Sequence, residues 1–167
     1  MSYPVSTAEI KRAQFLHSVL LFDFIVVHVF VFILALSLIK NTYIPLILMP
    51  VFSFMALSYV MVRAKQALTR EPSWFVRCHM ILAGRRARLF LALFVVTGAF
   101  SAVILWGGAM IGLSPIASKA IALGVGQLPF MASMLALIIM EFDAEIQCKK
   151  GNIPSAALAL HPAPKEN

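Results

Sequence analysis

Four long apolar runs constrain this chain more than any other feature. They extend from Gln14 to Ile39, Tyr43 to Val62, Leu89 to Leu113 and Ala120 to Met140, and the last three contain no charged residue. A hydrocarbon core about 30 Å thick is crossed by about 20 helical residues, so each run is long enough to span it. Composition points the same way: of 167 residues 61% are apolar and 13% charged, where an ordinary soluble domain has about half and a quarter. A soluble globular domain is thereby excluded. The sequence predicts an all-α membrane protein, an up-down-up-down bundle of four transmembrane helices.

Lys40-Asn41-Thr42 leaves only a tight turn between the first two runs, which predicts an antiparallel hairpin. Ser114 to Lys119 joins the last two, with Pro115 stopping one helix and Gly107, Gly108 and Gly112 loosening its end. Orientation follows from where lysine and arginine lie, because translocating them is disfavoured. Lys11, Arg12, Arg63, Lys65, Arg70, Arg77, Arg85, Arg86, Arg88, Lys149, Lys150 and Lys165 fall on one side, and only Lys40 and Lys119 on the other. This predicts both termini in the cytoplasm, in a plasma membrane of bacterial type. Lys11 and Arg12 before an apolar run also suit a signal peptide, but the run is too long for one and carries Asp23.

The net charge of +7 does not imply nucleic acid, since half of the basic residues sit in the segment 63–88 between two spans. Their partner is expected to be the bilayer itself, with anionic headgroups at Trp74, Arg77, Arg85, Arg86 and Arg88. After a break at Glu71-Pro72, Ser73 is a candidate N-cap for a short helix lying at the headgroup boundary, anchored by Trp74. Residues 1–150 are expected to form one four-span domain, and 151–167, with three prolines, a flexible cytoplasmic tail.

Polar residues at membrane depth are the candidate functional positions. Asp23 lies roughly 10 Å below the boundary near Leu16, a depth at which a carboxylate needs protein or water beside it. Ser58, Tyr59 or Arg63 on the returning helix is the expected partner. His28 comes out about 18 Å deep, and Ser53, Ser101 and Gln127 fall near the same level, so the four could form one polar layer. Asp23 and His28 are five residues apart, about 140° around an α-helix, which argues against a direct pair. Gly98 with Ala102 and Ala122 with Gly126 are small residues four apart, the spacing that lets helices approach closely in lipid. Glu141, Asp143 and Glu145 follow the fourth span and face the basic segment as an exposed acidic cluster.

No catalytic motif, cofactor or metal site is expected. His17 and His28 return to one face after eleven residues, as stacked haems would require, yet spans two to four contain no histidine. Cys78-His79, Cys148 and His161 lack zinc-ligand spacing. The cysteines fall on the cytoplasmic side, where a structural disulfide is not expected. The reading is a non-catalytic subunit, scaffold or assembly factor that associates with other membrane subunits or with itself. The alternative is a small oligomeric transporter handling protons or cations through Asp23, His28 and Gln127.

Overall fold

The computed structural model describes residues 5–38, 41–42 and 44–162. The span ends at Ile39 and Tyr43, the cation Lys40, and Pro164 and Lys165 lie outside the described residues. Helix α1 begins at Thr7 and runs Thr7–Phe22, widens to a π-helix over Asp23–Val31, and ends as Phe32–Leu38. Helix α2 is Ile44–Arg70 and α3 is Trp74–Gly107. Helix α4 comprises Pro115–Ile121, a π-helical stretch Ala122–Gln127 and Leu128–Lys149; a short α5 is Ser155–Leu160. Among the described residues the four long helices are each long and apolar enough to cross a membrane, compatible with a multi-pass membrane protein.

Local chemistry sets the ends. Ser6 and Glu9 form a reciprocal capping box, the Ser6 hydroxyl accepting from the Glu9 amide at 3.3 Å and the Glu9 carboxylate from the Ser6 amide at 2.9 Å. Pro72 halts α2, and Ser73 then caps α3 by accepting from the Val76 amide at 3.4 Å. Gly112, at φ +81°, closes the turn after α3. Ser114 accepts from the Ala117 amide at 3.2 Å, ahead of Pro115 in the first turn of α4.

The basic segment 63–88 is therefore not a loop with a short helix in it. Three residues, Glu71 to Ser73, separate α2 from a helix of 34 residues. The expected boundary helix is the first turns of that rod, because no proline follows Ser73 before Pro115 and the single glycines Gly84 and Gly98 are carried within the helix. The tail also departs from expectation. Ala157 of α5 is buried with Cys78, Leu82 and Ala144, and Trp74, Ile153 and Leu160 pack around them. Trp74 thus serves a protein core.

The chain forms two compact units, residues 1–88 with 138–167, and residues 89–137. In the first, α1 buries Ala13, Leu16, Leu20, Phe24 and Val27, and α2 buries Ser53, Leu57, Val60, Ala64 and Ala67, each a stripe at helical spacing. Phe15 meets Tyr59 edge to face at 6.2 Å and Ser53 bonds Asp23, so these two helices run antiparallel. Gly84 of α3 lies directly on Ala64, where an added Cβ would overlap the alanine methyl.

The second unit pairs 89–107 with 115–137. Phe90, Phe94 and Phe130 make a ring cluster with centroids 5.3 to 6.4 Å apart. Gly126 sits against the Ser101 hydroxyl, which donates to the Ala122 carbonyl at 3.1 Å and accepts from Gln127 Nε2 at 3.4 Å. Ala122 and Gly126 provide the close approach, and Ala102 is half-buried. Gly98 is exposed, with nothing within 4 Å of an added Cβ. The wide π turn at 122–127 precedes Pro129, which has no amide hydrogen to give Val125 and whose ring would crowd that carbonyl in an ordinary turn.

Candidate functional site

The first unit holds a chain of buried ionisable side chains. His17, on the inward stripe of α1, has Nδ1 2.6 Å from Glu141 Oε2 of α4 and Nε2 3.1 Å from His79 Nδ1 of α3. His79 Nε2 is 3.0 Å from the carbonyl of Asn152, in the turn before α5. Arg86, two helical turns beyond His79, donates from Nη1 to Glu141 Oε1 at 3.0 Å and to the Met140 carbonyl at 2.9 Å. His17, His79 and Glu141 are 0% exposed and Arg86 6%. Phe75 covers His79 at 4.8 Å between rings, and the two imidazoles cross edge to face at 5.3 Å.

Proton counting limits what this chain can be. The Asn152 carbonyl only accepts, so His79 Nε2 carries hydrogen. Each of the other two gaps, His79 to His17 and His17 to Glu141, also needs one hydrogen between its heavy atoms. Two neutral imidazoles and a carboxylate have two hydrogens for three gaps. One gap would then bring two lone pairs face to face in a dry site, which is unfavourable. For all three contacts to be hydrogen bonds at once, the set needs one hydrogen more than two neutral imidazoles and a carboxylate carry. Arg86 balances the glutamate charge when the carboxylate is ionised.

A second polar group lies further along α1. Ser53 Oγ donates to Asp23 Oδ2 at 3.2 Å. His28 Nδ1 is 3.1 Å from the Asp23 carbonyl and 3.8 Å from its carboxylate. Asp23, His28 and Ser53 are all buried. The expectation that Asp23 and His28 face apart assumed α-helical winding. Over Asp23–Val31 the bonds step five residues instead of four, which brings residues five apart onto one side. Ser58 and Tyr59, expected beside Asp23, are exposed, Tyr59 lying against Phe15 instead, and Arg63 is exposed as well.

The remaining expected residues are dispersed. Gln127 and Ser101 bond each other in the second unit, while His28 and Ser53 belong to the first. Of the headgroup residues, Arg86 is taken up by Glu141. Arg77 donates to the Pro72 carbonyl at 3.4 Å and Arg88 to the Gly84 carbonyl at 3.3 Å, while Arg85 is exposed. The acidic cluster is split as well. Glu145 takes Gln14 at 2.7 Å and Lys149 at 3.0 Å, and Asp143 takes Gln147 at 2.6 Å, leaving Glu141 alone facing inward.

Both cysteines are buried and free, with Cys78 Sγ 3.6 Å from the His161 carbonyl and Cys148 Sγ 3.6 Å from that of Ile10. Among the described residues no three His, Cys, Asp or Glu side chains are placed to hold a metal ion. Comparison with protein families, curated proteins and solved structures finds no match for this chain. The reading of function rests on the buried residues themselves.

The sequence reading passed over His17, His79, Arg86 and Glu141 as a group. The signal was helical phase. Glu141 shares a stripe with Ala144 and Cys148, and His79 one with Leu82, Arg86 and Phe90, all buried. A charged residue on an otherwise apolar inward stripe requires a partner on a facing one.

Proposed function

We propose that this chain is a proton-handling multi-pass membrane protein. The observation that supports the reading is the gap between Glu141, His17, His79 and the Asn152 carbonyl, where three bonds need three hydrogens. Loss of the additional proton breaks one of the bonds that tie α1, α3, α4 and the turn before α5 together, so proton occupancy is linked to helix packing. Asp23 with His28 and Ser53 forms a second station on α1, roughly 9 Å further along its axis. Ionisable groups at membrane depth, as Asp23 and His28 are on the four-span reading, are costly to insert, and their usual role is in ion pathways. The lysine and arginine distribution supports a bacterial-type plasma membrane with both termini in the cytoplasm, and an up-down-up-down order of spans.

The test is proton flux into proteoliposomes carrying an internal pH dye, under an imposed pH gradient. The wild-type protein should dissipate the gradient faster than empty liposomes, and His17→Leu and Glu141→Gln should return the rate to that background. A folded wild-type protein with no flux above empty liposomes would refute the reading.

The non-catalytic subunit reading is favoured by a different observation, the complete sealing of His17, His79 and Glu141 from solvent. On that reading the cluster is a lock that fixes one packing for an assembly partner, another membrane subunit or a second copy. Absent flux together with a partner that co-purifies from native membrane, and is lost in Glu141→Gln, is its outcome.

A further inference from the structure

At the basic end of the first unit, α1, α2 and the start of α3 enclose a groove of about 310 Å³. Its rim carries Lys11, Arg12 and Arg63, and its walls are Phe15, Tyr59 and Met80. Lys11 and Arg12 immediately precede the first apolar run and Arg63 immediately follows the second. The groove therefore has its cations where the chain's apolar surface begins. Phe15 and Tyr59 close it with an edge-to-face ring pair. Exposed Phe22 on α1 lies two turns from Phe15, and exposed Met55 and Phe52 lie one and two turns from Tyr59, so apolar surface continues from the groove along both helices.

The charge at the rim is not balanced within the described residues. Glu71 pairs with Arg12 at 3.3 Å and also accepts from the Ser73 amide at 3.2 Å. Glu9 is occupied by Ser6. Among the described ion pairs none involves Lys11 or Arg63. A second recess of about 220 Å³ shares Arg63 and Met80 and adds Arg70 and Gln66, extending the cationic rim along α2.

We propose that this groove binds an anionic phospholipid, its phosphate held by Lys11, Arg12 and Arg63 and an acyl chain laid against Phe15 and Tyr59. A cationic rim above an apolar wall matches an amphiphile with a negative head. A soluble anion would use the rim alone, and a zwitterionic lipid would gain little from three cations. The site is distinct from the exposed arginines of α3, where attraction would be diffuse.

The probe is native mass spectrometry of the full chain released from detergent, titrated separately with phosphatidylglycerol, phosphatidylcholine and inorganic phosphate. The wild-type protein should retain one phosphatidylglycerol in clear preference to phosphatidylcholine, with no competition from phosphate. Each cation near an anionic headgroup contributes about fivefold in affinity, so Lys11→Gln/Arg63→Gln should weaken binding about twenty-fivefold. Lys11→Arg/Arg63→Lys should restore it, which separates lost charge from lost fold. Arg85→Gln/Lys150→Gln removes the same charge elsewhere and should leave the single retained lipid unchanged. Equal weakening in this control, equal retention of phosphatidylcholine, or displacement by inorganic phosphate would each overturn the proposal.

Discussion

Replacing Glu141 tests the proton count directly. In Glu141→Ala the buried Arg86 guanidinium loses a partner at 3.0 Å and His17 Nδ1 one at 2.6 Å. Removing one member of a buried pair leaves the other uncompensated, at a cost of about 3–5 kcal/mol. Glu141→Gln differs in kind. Its carbonyl oxygen still accepts from Arg86 and its amide donates to His17 Nδ1, so all three gaps hold a hydrogen without the additional proton. What is lost is charge assistance on two bonds, about 2 kcal/mol. Arg86→Met/Glu141→Leu removes both charges together but still leaves His17 Nδ1 without a partner, and should cost about 1–3 kcal/mol, less than Glu141→Ala.

Equilibrium unfolding in detergent micelles, followed by circular dichroism, gives the three values. The pH dependence supplies a second readout. Above about pH 6.5 free imidazoles are neutral, so on the proposed reading, in which all three gaps hold a hydrogen, the folded network binds one proton more than the unfolded chain. A folded state that binds the additional proton loses stability as pH rises, by no more than about 1.4 kcal/mol per unit. The glutamine variant should be flat over the same range. Glu141→Ala within 1 kcal/mol of wild type, or Glu141→Gln as damaging as Glu141→Ala, would refute the reasoning.

Other consequences are separable. Ser53→Ala should cost about 0.6–1.7 kcal/mol in the same assay, the range for hydrogen bonds between membrane helices, while Ser58→Ala on the exposed face should be silent. Gly84→Ala should destabilise by about 1–3 kcal/mol, because the new methyl overlaps Ala64 and α2 and α3 must separate. Gly98→Ala meets only open space and should stabilise α3 by up to about 1 kcal/mol; a loss at Gly98 would point to a contact outside this chain.

The spans were legible because lipid imposes a length and a composition that runs such as Leu89–Leu113 satisfy without reference to tertiary structure. So were the caps, since Ser73 after Pro72 and Ser114 before Pro115 carry their chemistry locally. Partner choice was not. Depth counted from the boundary placed Ser58 and Tyr59 near Asp23, but depth does not give azimuth, and the stripe through Ser53, Leu57 and Val60 turns Ser58 away. The Asp23–His28 contact was hidden for another reason: it depends on a winding that the sequence does not announce. Glu141 was grouped with Asp143 and Glu145 by proximity in sequence, although a helix turns Asp143 away from Glu141 and leaves Glu145, four residues on, at the edge of the same face against Gln14.

The length of α3 has a further consequence. Thirty-four residues make a rod about 51 Å long, against a hydrocarbon layer of about 30 Å. On the proposed four-span topology up to about 20 Å of that length lies outside the hydrocarbon layer, and the polar end, Trp74 to Arg88, is the part that meets His17, Glu141 and α5. One rod thus works in two solvents. Its emergent end is held by water's aversion to apolar groups, and the immersed remainder only by contact and hydrogen bonding. Urea should therefore loosen the end bearing His79 well before it disturbs the ring cluster around Phe90 and Phe130.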